Sequence, residues 1–345
     1  MNKGLFSIPV YSQHVAMNKI FDEITYQVVN GEKWGLSEAF FGEHITDKHE
    51  KITSSLLMVS ALSKLTKNIK LGSLTTNLNF YMPSVVASMI SMADNLSNGR
   101  LILGIGSGAN MSDIESIGFD EKNNHAISLE IQKIIEKIFH SKDLVNIESE
   151  NFKVSTEKFG NKELGLGYFN KLYKERNDLE IIMPALNENS YNVKLCAKNK
   201  WSIMISNFCS EEIIDNHISS YLEHSSLNED EAYKKIKLSK LIFANKDSDS
   251  GKELVYSKNS PFMEVVNIIF NKLKKYNKHS CFGKNVSTAL DAGKSTILFG
   301  NPDEISSKLE KKYNKLSSIV YVTVPMTGNN NFDKSLEIFC KDVSI

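Results

Sequence analysis

The chain has 345 residues, 41% hydrophobic and 24% charged, ordinary proportions for a globular protein in water. Lys+Arg and Asp+Glu both number 41, so there is no basic excess to neutralise a phosphate backbone, and nucleic-acid binding is not expected. Cys196, Cys209, Cys281 and Cys340 form no Cys-x-x-Cys pair, which argues against a zinc ribbon or a dithiol redox site; free thiols in a reducing cytoplasm and no metal site are the expectation.

Leu5–Val10 reads as a buried strand, and its apolar run is too short for a secretory signal or a membrane span. Val15–Val29 carries apolar residues at helical spacing. Leu36–Gly42 is a second strand. Ser54–Leu65 is a helix with Leu57, Ala61 and Leu65 on one stripe, and Ile69–Leu78 is a third strand. Pro83 starts the next helix, where its missing N–H costs nothing, and Asn98-Gly99 stops it. Arg100–Ile105 and Ile127–Phe139 give a fourth strand and helix. Strands at Leu179–Pro184, Trp201–Phe208, Ile236–Ala244 and Ile319–Val324 then alternate with helices at Ser190–Lys198, Glu211–Tyr221, Phe262–Tyr276 and Phe332–Val343.

Strand–helix alternation implies parallel strands joined by right-handed crossovers. Eight such units favour one closed α/β (β/α)₈ TIM barrel over an open sheet, with residues 1–345 forming a single domain. Two irregular stretches, about 146–174 and 278–302, read as insertions near the barrel mouth, at its C-terminal face.

Gly104-Ile105-Gly106-Ser107-Gly108-Ala109 fits a dinucleotide-binding pattern, but three strand–helix units precede it and Met111-Ser112-Asp113 reads as loop. A strand end at which glycines admit a ligand to the backbone is the better reading. Gly293-Lys294-Ser295 has Thr288 where a phosphate-binding P-loop needs glycine, so a polar turn is expected. Phe40-Phe41-Gly42-Glu43-His44 ends the second strand, where barrel residues face a shared site. His44 there either exchanges protons near neutral pH or merely caps a loop, and Glu43 either orients it or is a solvated charge. Thr75-Thr76-Asn77 is either a set of hydrogen-bonding groups for a heterocycle or an Asx turn before Pro83. Asn189 or Ser190 caps the helix after the fifth strand, and the same N-terminus is suited to an anion. Phe6, Phe40, Phe41, Phe80 and Tyr81 suit an apolar pocket wall or the core.

The stretches Ser37–His44, Thr66–Gly72 and, above all, Asp94-Asn95-Leu96-Ser97-Asn98-Gly99-Arg100 through Gly108 resemble the bacterial-luciferase-like flavin monooxygenases. The resemblance is strong over about residues 34–119. Within that family the Gly-Glu-His and Gly-Ile-Gly-Ser-Gly spellings are most similar to the limonene-monooxygenase-like branch. It implies an FMN-dependent monooxygenase. Reduced FMN, supplied by a separate flavin reductase, would react with O2 to a C4a-hydroperoxide that oxygenates a small, apolar organic substrate. A homodimer is implied too. His44 matches the family's catalytic histidine, with Glu43 beside it. Thr75 and Asn77 match the segment under the flavin ring, Gly106 and Ser107 the segment near the ribityl phosphate, and Asn189 and Ser190 the phosphate-binding turn.

The chain departs from luciferase itself at two places: Ile45 stands where luciferase has a second His, and Ser107 where it has a phosphate-contacting Arg. Light emission is therefore not expected, and Lys162 or Arg176 is the candidate replacement cation. A non-catalytic flavin-binding protein and a deazaflavin-dependent oxidoreductase of the same fold are the alternatives.

Overall fold

The structure is a computed structural model that describes residues 1–7, 10–119 and 121–345. Eight parallel strands close into a barrel: β1 (Asn2–Ser7), β2 (Glu38–Phe41), β3 (Lys70–Ser73), β4 (Leu101–Gly106), β5 (Glu180–Ala185), β6 (Ser202–Ile205), β7 (Ile236–Ala244) and β8 (Ser318–Val322). Strand order follows the chain, and the ring closes where Leu5 of β1 pairs with Tyr321 of β8. Two further short strands join this sheet: Thr76–Asn77 extends along β4, and Ile297–Gly300 along the end of β7. The expected barrel is the observed one. No helix among the described residues is long and apolar enough to cross a membrane.

Inside the barrel, Phe40, Ile102, Ile182, Met204 and Val320 pack as one buried cluster with Leu74 and Phe6. Gly72 makes room for the Phe40 ring, since a Cβ there would sit 2.5 Å from Phe40 Cδ1. Below this layer the barrel is ionic. Lys237 Nζ lies 2.6 Å from Glu38 and 3.5 Å from Glu180, both of which start barrel strands.

The residues of the Asp94–Arg100 motif are fasteners at this N-terminal end. The Pro83–Leu96 helix stops as expected, with Asn98 and Gly99 at φ 56° and 77°. Arg100 then donates to the carbonyls of Ser63, Thr66, Ile69 and Ser97, and Asp94 is fully buried against Arg176 at 2.6 Å.

Several expectations need correction. Residues Ile8 and Pro9 of the expected first strand lie outside the described residues, and β1 runs instead from Asn2. The Ile69–Leu78 strand breaks after Ser73, and the Leu74–Thr75 peptide bond is cis. The stripe assigned to the second helix faces solvent: Leu57 is 65% and Leu65 51% exposed, whereas Leu56, Val59 and Leu62 are buried. That helix is apolar nearly all round, so spacing alone selects no face. Met111–Ser116 is a short helix rather than loop, and Gly293-Lys294-Ser295 lies within the helix Ala289–Thr296, where Gly293 packs on Met263.

The segment 146–174 is not at the mouth. The helix Glu121–His140 ends at the base and β5 begins there, so the connection between them stays at that end. It forms a small hairpin, Asn146–Glu148 with Lys153–Ser155. It then runs beside the Pro83–Leu96 helix, where the Lys171 carbonyl accepts from Ser91 and Asn95. Arg176 is committed to Asp94 and the Leu101 carbonyl, and Lys162 faces Asp143 on the same side. Neither cation reaches the mouth. The second stretch, 278–302, does sit at the mouth; it follows the helix Pro261–Lys275 and carries the helix Ala289–Thr296 and the strand Ile297–Gly300.

Candidate active site at the barrel mouth

The C-terminal ends of β1 to β6 surround a cavity of about 400 Å³, roofed on one side by the helix Pro261–Lys275. Phe6, Leu74, Leu186, Phe208, Ile269 and Leu273 make much of it apolar, and Thr75, Asn77, Ser107, Ser190 and Asn207 supply polar groups. Volume and lining are those of a small-molecule site.

His44 projects from the end of β2. Its Nδ1 lies 2.9 Å from Asp113 Oδ2, and its Nε2 lies 3.8 Å from Glu50 Oε1. Asp113 is fixed in turn by the N–H of Thr46 at 2.8 Å and its hydroxyl at 2.5 Å. Burial disfavours a charged imidazole, but Glu50, Asp113 and Asp47 outweigh it and raise its pKa to about 9. These carboxylates favour the imidazolium form of His44 at neutral pH.

Glu43 is buried, and its carboxylate is occupied. Oε2 accepts from the N–H and hydroxyl of Ser55, and Oε1 from the N–H of Asn77 at 2.7 Å. Burial pushes its pKa up, against the pull of those donors. The arrangement ties the end of β2 to Asn77, and Glu43, expected beside the catalytic histidine, stands with it on the cavity wall.

The glycines of Gly104–Gly108 divide in two. A Cβ on Gly104 would lie 1.9 Å from the Ser73 carbonyl oxygen, so this glycine serves strand packing, not ligand approach. Gly106, Ser107 and Gly108 reach the cavity, and a Cβ on Gly106 would meet the Thr75 hydroxyl at 2.3 Å. Ser107 presents its carbonyl to Asn79 and Asn124.

Of the remaining expected residues, Ser190 stands on the wall at the head of the helix Tyr191–Asn199, and its hydroxyl makes no capping bond. Asn189 is exposed and off the wall; Asn187 and Asn192 line the cavity in its place. Phe6 lines the cavity, but Phe40 is wholly buried in the barrel interior. Phe80 packs on Gly108, and Tyr81 turns its hydroxyl to Glu43 and Ser54; neither forms the wall.

Sequence reasoning missed Asp113, Glu50, Asp47, Lys272 and Asn207. The acids Asp47 and Glu50 follow the Gly-Glu-His motif within six residues, a local signal; Lys272 joins them from 225 positions beyond Asp47 and carried none. Asn207 is 1% exposed on the cavity wall, with its Nδ2 unpartnered.

A family model described as luciferase-like monooxygenase matches residues 1–160. Limonene 1,2-monooxygenase of Rhodococcus erythropolis is 29% identical over 117 residues, 34% of this chain and 30% of that protein. Other matches of this kind likewise span only 33% and 39% of the relatives' own length. A longer match, 23% identical over 90% of this chain and 88% of the relative, is 2,5-diketocamphane 1,2-monooxygenase 2 of Pseudomonas putida. Among solved structures, the oxygenating constituent of 3,6-diketocamphane monooxygenase from Pseudomonas putida, in complex with FMN, superposes with a TM-score of 0.86 at 19% identity, covering 99% of this chain and 97% of that one. That likeness shows the barrel, and residues 1–160 are similar to the luciferase-like monooxygenase family.

Proposed function

We propose that the chain, acting as one domain, is a flavin-dependent monooxygenase that uses reduced FMN and O2 to oxygenate a small, apolar organic substrate. The observation that carries this reading is His44, held as a cation by Asp113 on the wall of an otherwise largely apolar cavity. The donor set suits a flavin. Apolar Leu74, Phe6 and Phe208 suit the faces of a flat ring, and Thr75, Asn77, Ser107 and Asn207 suit its polar edge. Ser190, whose hydroxyl makes no capping bond, and the helix N-terminus behind it suit a phosphate without an arginine.

A bound reduced flavin supplies the electrons that activate O2. Because Nδ1 is engaged by Asp113, His44 holds its exchangeable proton at Nε2, which donates to an oxygen atom within the cavity. Glu43 keeps Asn77 in place, and Phe6, Leu186, Phe208 and Ile269 exclude water. A separate flavin reductase supplies the reduced cofactor.

A homodimer completes the proposal. Leu57, Met82, Val85 and Met92, on or beside the Ser55–Ser63 and Pro83–Leu96 helices, are each more than half exposed, and among these residues only Asp94, itself buried, is charged. Such an uncharged apolar face fits a second copy of itself.

The test is to mix the protein anaerobically with reduced FMN, admit O2, and look for a long-lived spectrum distinct from those of reduced and oxidised FMN. Its absence, with tight FMN binding, would favour a non-catalytic flavin protein. Tight binding of a deazaflavin instead of FMN would favour a dehydrogenase or reductase reading, since an F420-dependent alcohol dehydrogenase shares the fold at a TM-score of 0.69.

A further inference from the structure

Four acids and one base surround His44. Asp113 reaches Nδ1 from the helix Met111–Ser116, Glu50 faces Nε2, Asp47 lies on the same turn, and Glu43 precedes it in the chain. The base is Lys272, whose Nζ lies 2.5 Å from Asp47 and 2.7 Å from Glu50. Glu50 thus offers Oε1 to His44 and Oε2 to Lys272. Lys272 belongs to the helix Pro261–Lys275, which also places Ile269 and Leu273 on the cavity wall.

A carboxylate shared between two cations acts on each less strongly than it would on one alone. Removing Lys272 would free Glu50 and Asp47 to act fully on the imidazolium, and would undock one wall of the cavity. We propose that Lys272 is a positioning residue of this site, which keeps Glu50 and Asp47 partly neutralised beside His44 while fixing the Ile269–Leu273 wall against the end of β2. The group that tunes the acid therefore comes from the roof of the cavity, so that roof placement and proton donation are linked.

Its catalytic meaning rests on the reading of His44 given under Proposed function. Its test does not, because the titration of His44 can be followed in the ligand-free protein. The imidazole resonances, assigned by their loss in His44→Gln, are followed by NMR against pH in the wild type, Lys272→Met and Lys272→Arg. The Met variant is expected to raise the His44 midpoint by about one pH unit, and the Arg variant to return it close to the wild-type value. A plain structural ion pair would lower thermal stability without moving that midpoint. A folded Lys272→Met protein with the wild-type midpoint overturns the proposal. If Lys272→Met does not fold, Glu50→Gln decides: its midpoint must fall, and an unchanged value overturns the proposal equally. Failure of oxygenation with the expected shifts present would count against the monooxygenase reading alone.

Discussion

His44 Nδ1 and Asp113 Oδ2 lie 2.9 Å apart across 69 residues of sequence, joining the end of β2 to the short helix after β4. The pair holds the imidazole in one orientation on the cavity wall, with Nε2 facing Glu50 at 3.8 Å.

Replacing Asp113 with Asn removes a charge and one acceptor, so the His44 pKa should fall from about 9 toward its ordinary value. Turnover that needs the imidazolium should then fail at a lower pH. In the wild type the rate should decline as pH rises through about 9, and in Asp113→Asn one to two units earlier, roughly. The same shift bears on stability. A histidine whose folded pKa is raised stabilises fully below about 6.5 and loses that contribution as pH climbs through about 9. Thermal melts between pH 6 and 10, roughly, should show a decline that His44→Gln lacks.

Glu43→Gln should act mainly on folding. It leaves Ser55 and Asn77 with fewer acceptors in a buried place, at a cost of about 1–3 kcal/mol. Denaturant titration measures this. Weaker flavin binding should accompany it, because Asn77 loses its anchor.

Gly104→Ala and Gly106→Ala separate packing from the site. The first drives a methyl into the Ser73 backbone, which cannot yield, and should destabilise by about 3 kcal/mol or yield insoluble protein. The second meets the Thr75 side chain, which can rotate, so the protein should fold with a narrower cavity and weaker FMN affinity.

Arg176→Gln should cost stability without changing flavin affinity. It strips the counter-charge from Asp94, which is fully buried, at a cost of about 3 kcal/mol. A large loss of FMN affinity in a folded variant would contradict the placement of Arg176 at the barrel base.

A charge on the apolar helix face should split the proposed dimer. Val85→Lys places a cation at a position 51% exposed in the single chain, so the monomer should remain folded while the dimer dissociates. Sedimentation of the two proteins compares them directly.

The barrel was legible in the alternation of elements, because Pro83 and Asn98-Gly99 punctuate the chain where helices begin and end. His44, Thr75, Asn77, Gly106, Ser107 and Ser190 were legible as members of one rim, because strand ends in a barrel converge. Asp113 was hidden because Asn110-Met111-Ser112-Asp113 spells a polar turn, and only the Asn110 side chain capping the Ser112 N–H begins a helix there. Lys272 was one lysine among several at the end of an amphipathic helix, and its partners are set by the packing of distant segments. The placement of 146–174 was recoverable in principle, since a helix descending from the mouth and a strand rising toward it must be joined below. Phe40 misled because it points into the barrel, as its register partner Phe6 does, but is closed over in the buried layer beneath the cavity.

The ionic floor of Lys237, Glu38 and Glu180, with the Phe40 layer stacked upon it, stoppers the barrel from beneath. Among the described residues, the passage at the mouth runs under the Pro261–Lys275 helix. A product must vacate that passage before the next molecule enters, so variants that loosen the roof are expected to change turnover through traffic as well as through chemistry.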